Sequence, residues 1–372
     1  MPSPSATDLL DEIRQWVEIE SHTPDAAGVN AMMDLVGKSY ADLGANVTRL
    51  PGTDGLGDHL SISSPWGGDG PGILVLCHLD TVHPKGTIKD LPFRIDGDRA
   101  YGPGIYDMKG GAFLAFAAFR ELLRAGTKTP LPLRLLYVGD EETGSVTSRR
   151  HIEAHGETAK YVLVTEPARD GGKIVIGRKG VGRFTMRAHG RPAHSGSRHE
   201  EGRSAIAEIA RQIIDIEGLT DYARGLTFSI GVVNGGTSEN VIPEHCSATI
   251  DMRITSAADG EEMGRHILAL APHDKDVELT ISGGINRPPF EENDGVRLLF
   301  AKARALAKEI GIDLQGVYTG GGSDGNFVAA RVPVLDGLGV DGEGAHTMQE
   351  HLLISSIMPR MTLQKRLFET LA

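Results

Sequence analysis

Five potential metal ligands are spread along the chain: His78, Asp107, Glu142, Glu166 and His346. Imidazole and carboxylate are the side chains that bind zinc and related divalent ions. Each follows a short apolar run that reads as a strand, or lies in the loop beyond one. GILVLC precedes His78, LRLLYVGD precedes Glu142, YVLVTE ends on Glu166, and PVLDGLGV lies a few residues before His346. In an open α/β sheet, functional groups collect in the crevice at the carboxyl ends of the strands. Five donors converging there would hold two divalent ions. A sixth carboxylate, Glu141, would be left to act as a base, which is the layout of a hydrolase.

Taken singly, each motif has a plainer reading. In HLDTV, His78 and Asp80 are two apart and share a strand face, so Asp80 is placed to orient the imidazole; a structural His beside a loop Asp is the other reading. In YGPGIYDMKGG, Asp107 sits between a rigid Gly-Pro-Gly turn and a helix, where it can bridge two ions or simply cap the helix. In GDEETG, the adjacent carboxylates repel unless one is ligated. Glu142 would ligate while Glu141 takes a proton from water, and a solvated acidic turn is the alternative. Glu166, at the end of a very apolar strand, needs a metal or an Arg as partner. GEGAHT, with Glu350 nearby, supplies His346 or is only a loop. The weight comes from the set.

The elements that would position these residues alternate between strand and helix. Leu10, Ile13 and Val17 recur at helical spacing in a first helix beginning near Thr7 or Asp8. A strand at 44–50 follows a second helix, and GILVLCHLDTV suits a buried parallel strand. MKGGAFLAFAAFRELLRAG reads as a buried helix ending at Gly126. The pattern changes near Gly180. Strand GRFTMRAHG, a helix with Ile206, Ile209, Ala210, Ile213 and Ile214 at helical spacing, strands LTFSIGVVNGG and CSATIDMRIT, a helix around 259–271 and strand DVELTISGG form an α+β unit with an antiparallel sheet. A helix over 296–310, the strand VPVLDGLG and a last helix return to the first style. The ligand intervals agree: 29, 35 and 24 residues, then 180 between Glu166 and His346. The expected fold is therefore α/β. A mixed, mostly parallel sheet with helices on both faces spans 1–179 and 287–372, with an inserted domain at 180–286.

Gly supplies 48 of the 372 residues, roughly twice ordinary usage, which suits a site built from tight loops. A net charge of -12 argues against a nucleic-acid partner. No run approaches the roughly 18 apolar residues of a membrane span, and the N-terminal residues lack a secretory pattern, so a cytoplasmic location is expected. The two cysteines, Cys77 and Cys246, make no disulfide framework; Cys77 reads as a buried, inert thiol.

HLDTV, GPGIYDMKGG, DEETG, TEP and GAHT, in that order, resemble the zinc aminoacylase and carboxypeptidase family of metallohydrolases. Glutamate carboxypeptidases, acetylornithine deacetylase and succinyl-diaminopimelate desuccinylase belong to it. The resemblance implies two Zn²⁺ per chain, with Co²⁺ or Mn²⁺ as substitutes. His78 and Glu166 would hold one ion, Glu142 and His346 the other, and Asp107 would bridge them. Glu141 would be the general base and Asp80 the partner of His78, and the Asp107–Met108 peptide would be cis. The inserted domain would be a lid and dimerisation domain. There His194 of GRPAHSG would stabilise the oxyanion in the other subunit of a homodimer. Asn240, Arg253 and Arg287 would bind the substrate carboxylate, and TGGGSDG, including Gly321 and Gly322, would wall the site. From the residues alone, His194 equally reads as a solvated loop His and Arg253 as half of a surface ion pair with Asp251.

The reaction so implied is hydrolysis of the amide of an N-acyl-amino acid or small peptide. HLDTVHPKGT, PFRIDGDRAYGPGI and Arg178-Lys179-Gly180 look most like the glutamate carboxypeptidase branch. An N-acyl-amino acid deacylase or a hydrolase of an unusual C–N bond stands as the alternative. A non-catalytic metal-binding regulator is remote, because Glu141 and all five ligands are present.

Overall fold

The computed structural model describes residues 4–372. The chain divides into two compact units. The first comprises the chain up to Gly177, Glu292–Thr319 and Ser323–Ala372; the second comprises Arg178–Glu291 and Gly320–Gly322.

Helix α1 (Ala6–Val17) starts a residue or two earlier than its apolar spacing suggests. Ser5 is the reason: its Oγ accepts the N–H of Asp8, and the Asp8 carboxylate accepts the N–H of Ser5, at 3.2 and 2.8 Å. Helix α2 (Ala26–Asp42), strands β1 (Asn46–Leu50) and β2 (His59–Ser63), and β3 (Gly72–His78) follow. Every residue of β3 is buried, as expected for a strand covered on both faces. Helix α3 (Gly110–Arg124) is sheathed almost all round and buries Phe113, Phe116 and Phe119. Gly111 lets its first turn approach the sheet, since a Cβ there would lie 2.1 Å from the carbonyl oxygen of Thr165. Strand β4 (Leu133–Val138), helix α4 (Arg149–Glu157) and strand β5 (Ala159–Val164) complete this segment.

The second unit contains β6 (Gly180–His189), α5 (Ala205–Glu217), β7 (Thr227–Gly235), β8 (His245–Ile254), α6 (Ala257–Leu268) and β9 (Glu278–Arg287). Its sheet runs β7-β8-β6-β9, antiparallel throughout. One face carries the core: Phe184, Met186 and Ala188 pack with Cys246, Ala248, Ile250 and Met252. The expected apolar face of α5 needs correction. Ile209 is buried, but Ile206 and Ile214 are 40% and 73% exposed, and the inward stripe is Ala205, Glu208, Ile209, Gln212 and Ile216. Glu208 is tolerated inside because its carboxylate accepts Gln212 and the N–H groups of His273 and Asp274.

The chain then adds α7 (Asp294–Glu309), β10 (Val334–Leu335) and α8 (Ile354–Thr370) to the first unit. Its sheet has the order β1-β2-β4-β3-β5-β10. Strands β4, β3, β5 and β10 are parallel, and β1 and β2 are antiparallel. The strand expected from VPVLDGLG is only two residues long. The mixed, mostly parallel α/β sheet and the separate antiparallel sheet match the expected fold class.

Candidate metal centre

Strand β3 ends on His78, which is almost wholly buried. Its Nε2 lies 3.2 Å from Asp107 Oδ1 and 3.6 Å from Glu166 Oε1. Its Nδ1 is 3.0 Å from the carbonyl oxygen of Asp80, and the Asp80 carboxylate is farther, at 3.5 Å. Asp80 thus meets the His78 ring through its backbone carbonyl, with its carboxylate close behind. The Asp80 carboxylate is otherwise engaged: Oδ1 accepts the N–H of Glu141, and Oδ2 accepts the N–H of Glu142 and the hydroxyl of Thr23. Asp80 thus ties the end of β3 to the acidic turn after β4.

Asp107 does not cap α3, whose cap position is Lys109. It lies in the irregular turn Ile105–Lys109, followed by a cis peptide bond to Met108. Its two oxygens point to different imidazoles: Oδ1 to His78, and Oδ2 to His346 Nε2 at 3.4 Å. His346 Nε2 also lies 3.2 Å from Glu142 Oε2. His346 holds a left-handed backbone with φ of 64°, uncommon for a side chain with a Cβ, and is half exposed. The other Glu142 oxygen, Oε1, is buried without a hydrogen-bond partner among the described residues.

The turn bearing Asp107 is held from the far end of the chain. Glu350, fully buried, accepts the N–H groups of Tyr106 and Asp107 on Oε1, at 3.0 and 2.9 Å, and that of Gly104 on Oε2, at 3.0 Å. His83 Nε2 lies 2.5 Å from the same Oε2. The sequence placed Glu350 only near the site. Its role was missed because nothing local marks a glutamate that bonds 244 residues away.

Charge is concentrated here. Burial opposes ionisation of Asp107, but the hydrogen bonds to His346 and His78 outweigh it and hold the carboxyl far below the usual range. Burial, reinforced by Asp107, raises Glu142. Asp107 and Glu142 together push His346 up to about 10. Donors around a tetrahedral ion with bonds of ~2.0–2.2 Å lie roughly 3.4 Å apart. The spacings of 3.2–3.6 Å between these imidazole and carboxylate atoms fit that requirement. The partnerless Glu142 oxygen agrees. An oxygen of Glu141 also stands within 4.8 Å of the donors of His78 and Glu166.

Residues 74–370 match peptidase family M20/M25/M40. The chain belongs to this family. It is 32% identical to carboxypeptidase G2 of Pseudomonas sp. (strain RS-16), over 96% of this chain and 88% of that protein. It is 27% identical to the succinyl-diaminopimelate desuccinylase of Delftia acidovorans, over 97% of each. Its fold matches Bacillus subtilis YXEP, described as a dinuclear metal binding peptidase of the M20 family, with a TM-score of 0.70 at 16% identity over 98% of this chain and 99% of that one. The protein is thus an M20 metallohydrolase, and among the described residues no helix is long and apolar enough to cross a membrane.

The remaining candidate residues of this M20 enzyme lie in the second unit, in two groups. His194 and Asn240 stand on adjoining loops. The N–H of Ser195 donates to the carbonyl of Asn240 at 3.1 Å, and His194 Nδ1 accepts the N–H of Gly196 at 3.1 Å. The Asn240 Oδ1 accepts the hydroxyl of Ser238. The second group surrounds Gly320–Gly322. Arg253 makes a two-pronged ion pair with Asp251, at 2.6 and 2.9 Å, and donates to the carbonyl of Gly320. Buried Arg287 packs its Cδ against Gly322, and Arg178 donates to the carbonyls of Gly321 and Gly322.

Proposed function

We propose that this enzyme is a two-zinc amidohydrolase, like glutamate carboxypeptidase, that cleaves an N-acyl-amino acid or small peptide bearing a free carboxylate. The observation that carries this reading is Asp107, whose two oxygens face two different imidazoles. His78 and Glu166 would hold one ion and Glu142 and His346 the other, with Asp107 between them; Co²⁺ or Mn²⁺ would substitute. Bound there, the ions would polarise the scissile carbonyl and acidify the attacking water. Glu141 then accepts the proton of that water and delivers it to the leaving nitrogen. Asp80 holds the N–H groups of both Glu141 and Glu142, so base and ligand are positioned by one carboxylate. His194 donates to the developing oxyanion. Arg253, Arg287 and Asn240 take the substrate carboxylate, and the backbone of Gly321 and Gly322 lines its place.

We further propose a homodimer in which His194 serves the partner's site. Strand β7 is the edge of its sheet, and it leaves Val232 and Val233 about half exposed, which suits pairing with a second copy. A second substrate reading, an N-acyl-amino acid deacylase, draws on the desuccinylase relative aligned over 97% of this chain.

The deciding experiment incubates zinc-loaded protein, with and without chelator, with N-acyl amino acids and dipeptides ending in glutamate, aspartate or an aromatic residue. Amine release is read by mass spectrometry. Chelator-sensitive release, strongest for a C-terminal glutamate, is the expected result. Preference for a succinyl or acetyl amine moves the enzyme to the deacylase branch, and no release from any member overturns the amide reading.

A further inference from the structure

A second cluster of metal-binding side chains stands in the other unit. Strand β6 ends on His189, and β8 begins on His245; the two are direct partners in the antiparallel ladder. Their neighbours Ala188 and Cys246 point into the core, so both imidazoles stand on the opposite, solvent-facing side of the sheet. The rings stack with centroids 4.7 Å apart. The Glu244 carboxylate reaches both rings, with Oε1 3.3 Å from His189 Nε2 and Oε2 3.9 Å from His245 Nε2. One donor atom from each of the three falls within 4.8 Å of the others. On the next strand, β9, Glu278 pairs with His189, which puts another carboxylate on the same rung.

We propose that His189, Glu244 and His245 form a peripheral site for a borderline divalent cation such as Zn²⁺. Two imidazoles and one carboxylate are a recurrent zinc donor set that leaves a position open, and imidazole selects zinc, copper or nickel over magnesium or calcium. The backbone is already arranged. His189 and His245 are fixed by the ladder, and Glu244 is fixed because its carbonyl accepts the N–H of Gly190 at 2.8 Å. The Glu244 contacts, at 3.3 and 3.9 Å, already bracket the roughly 3.4 Å that an ion requires, so only small side-chain torsions have to close the set.

The position gives the site a consequence. Beyond His189 the chain enters the loop that carries His194, and into Glu244 and His245 runs the segment that carries Asn240. These two stretches are cross-linked by backbone bonds from Ile242 to Ala193 and from Ser195 to Asn240. An ion held by His189, Glu244 and His245 clips the base of this loop pair, and so controls the mobility of the residues assigned above to the oxyanion and the substrate carboxylate. The regulatory part rests on that assignment; ion binding does not.

The test uses chelator-stripped full-length protein titrated with Zn²⁺ against a chromophoric competitor, wild type beside His189→Ala/His245→Ala. Both positions are exposed, so the fold is kept. The expected result is one additional, weaker ion in the wild type that the double variant lacks, with the tighter ions unchanged. Hydrogen exchange in segments 190–204 and 236–244 should slow by about tenfold or more when the weaker ion binds the wild type, and not in the variant. Equal stoichiometry in the two proteins overturns the site, and equal exchange overturns the clip. Loss of the tighter ions from the wild type, with the peripheral ion retained, would instead overturn the two-ion centre of the first unit.

Discussion

Glu350 accepts the backbone N–H of Asp107 at 2.9 Å, and with it those of Tyr106 and Gly104. A buried carboxylate thus fixes the direction in which Asp107 leaves the chain. Hydrogen bonds to a charged acceptor contribute about 1.5–3 kcal/mol each. Glu350→Gln, which places an amide donor against N–H groups, should weaken ion retention by about tenfold to a hundredfold. Ion competition against a chromophoric chelator is the measurement, and unchanged affinity would refute the role.

Glu141→Gln should keep both ions and lose about 10²–10⁴-fold in kcat, the usual worth of a positioned proton carrier. Metal content and turnover are measured on the same sample. Near wild-type turnover would remove Glu141 from the mechanism.

Arg253→Ala should raise KM for carboxylate-bearing substrates by about tenfold or more, the equivalent of one charged hydrogen bond. Asp251 currently occupies the guanidinium, so substrate must share or displace it. A fall in kcat at constant KM would point to a different role.

Ion loading should stabilise the fold. Asp80, Asp107, Glu141, Glu142 and Glu166 place five carboxylates around two imidazoles. A ligand at a hundredfold excess over its dissociation constant adds about 2.7 kcal/mol, so Tm should rise by roughly 5–10 °C on adding zinc to stripped protein. Asp107→Asn should remove most of that rise in a calorimetric scan.

Both thiols should be silent in the native enzyme. Burial pushes Cys77 up to about 12, against a hydrogen bond from Thr165, and burial raises Cys246 as well. A thiol reagent at mildly alkaline pH should titrate neither until denaturant is added. Because the folded value lies above the unfolded one, the neutral thiol's contribution is complete below about pH 8.5. It should decline as pH rises from there toward the folded value.

The structure brings together the five residues the sequence grouped, His78, Asp107, Glu142, Glu166 and His346; they were legible because continuous apolar runs, or the Gly-rich loops beyond them, lead into each. Glu350 and Thr23 were not, because their importance lies in hydrogen bonds to backbone and carboxylate groups far along the chain. The inward face of α5 was misread for a related reason. Isoleucine spacing marks apolar stripes, but the buried Glu208 is set by two loop N–H groups that periodicity does not register.

The discontinuous first unit imposes an order on synthesis. Residues 178–291 of the second unit are contiguous and are all made before the first unit is complete, since that unit's sheet still lacks β10, and His346 and Glu350 come later still. Domains fold as units as they emerge. The nascent chain therefore carries Asp107, Glu142 and Glu166, with neither His346 nor the Glu350 carboxylate that holds the Asp107 N–H, through the synthesis of some 180 intervening residues. The contacts of His346 with Asp107 and Glu142 must therefore wait for the final stretch of translation.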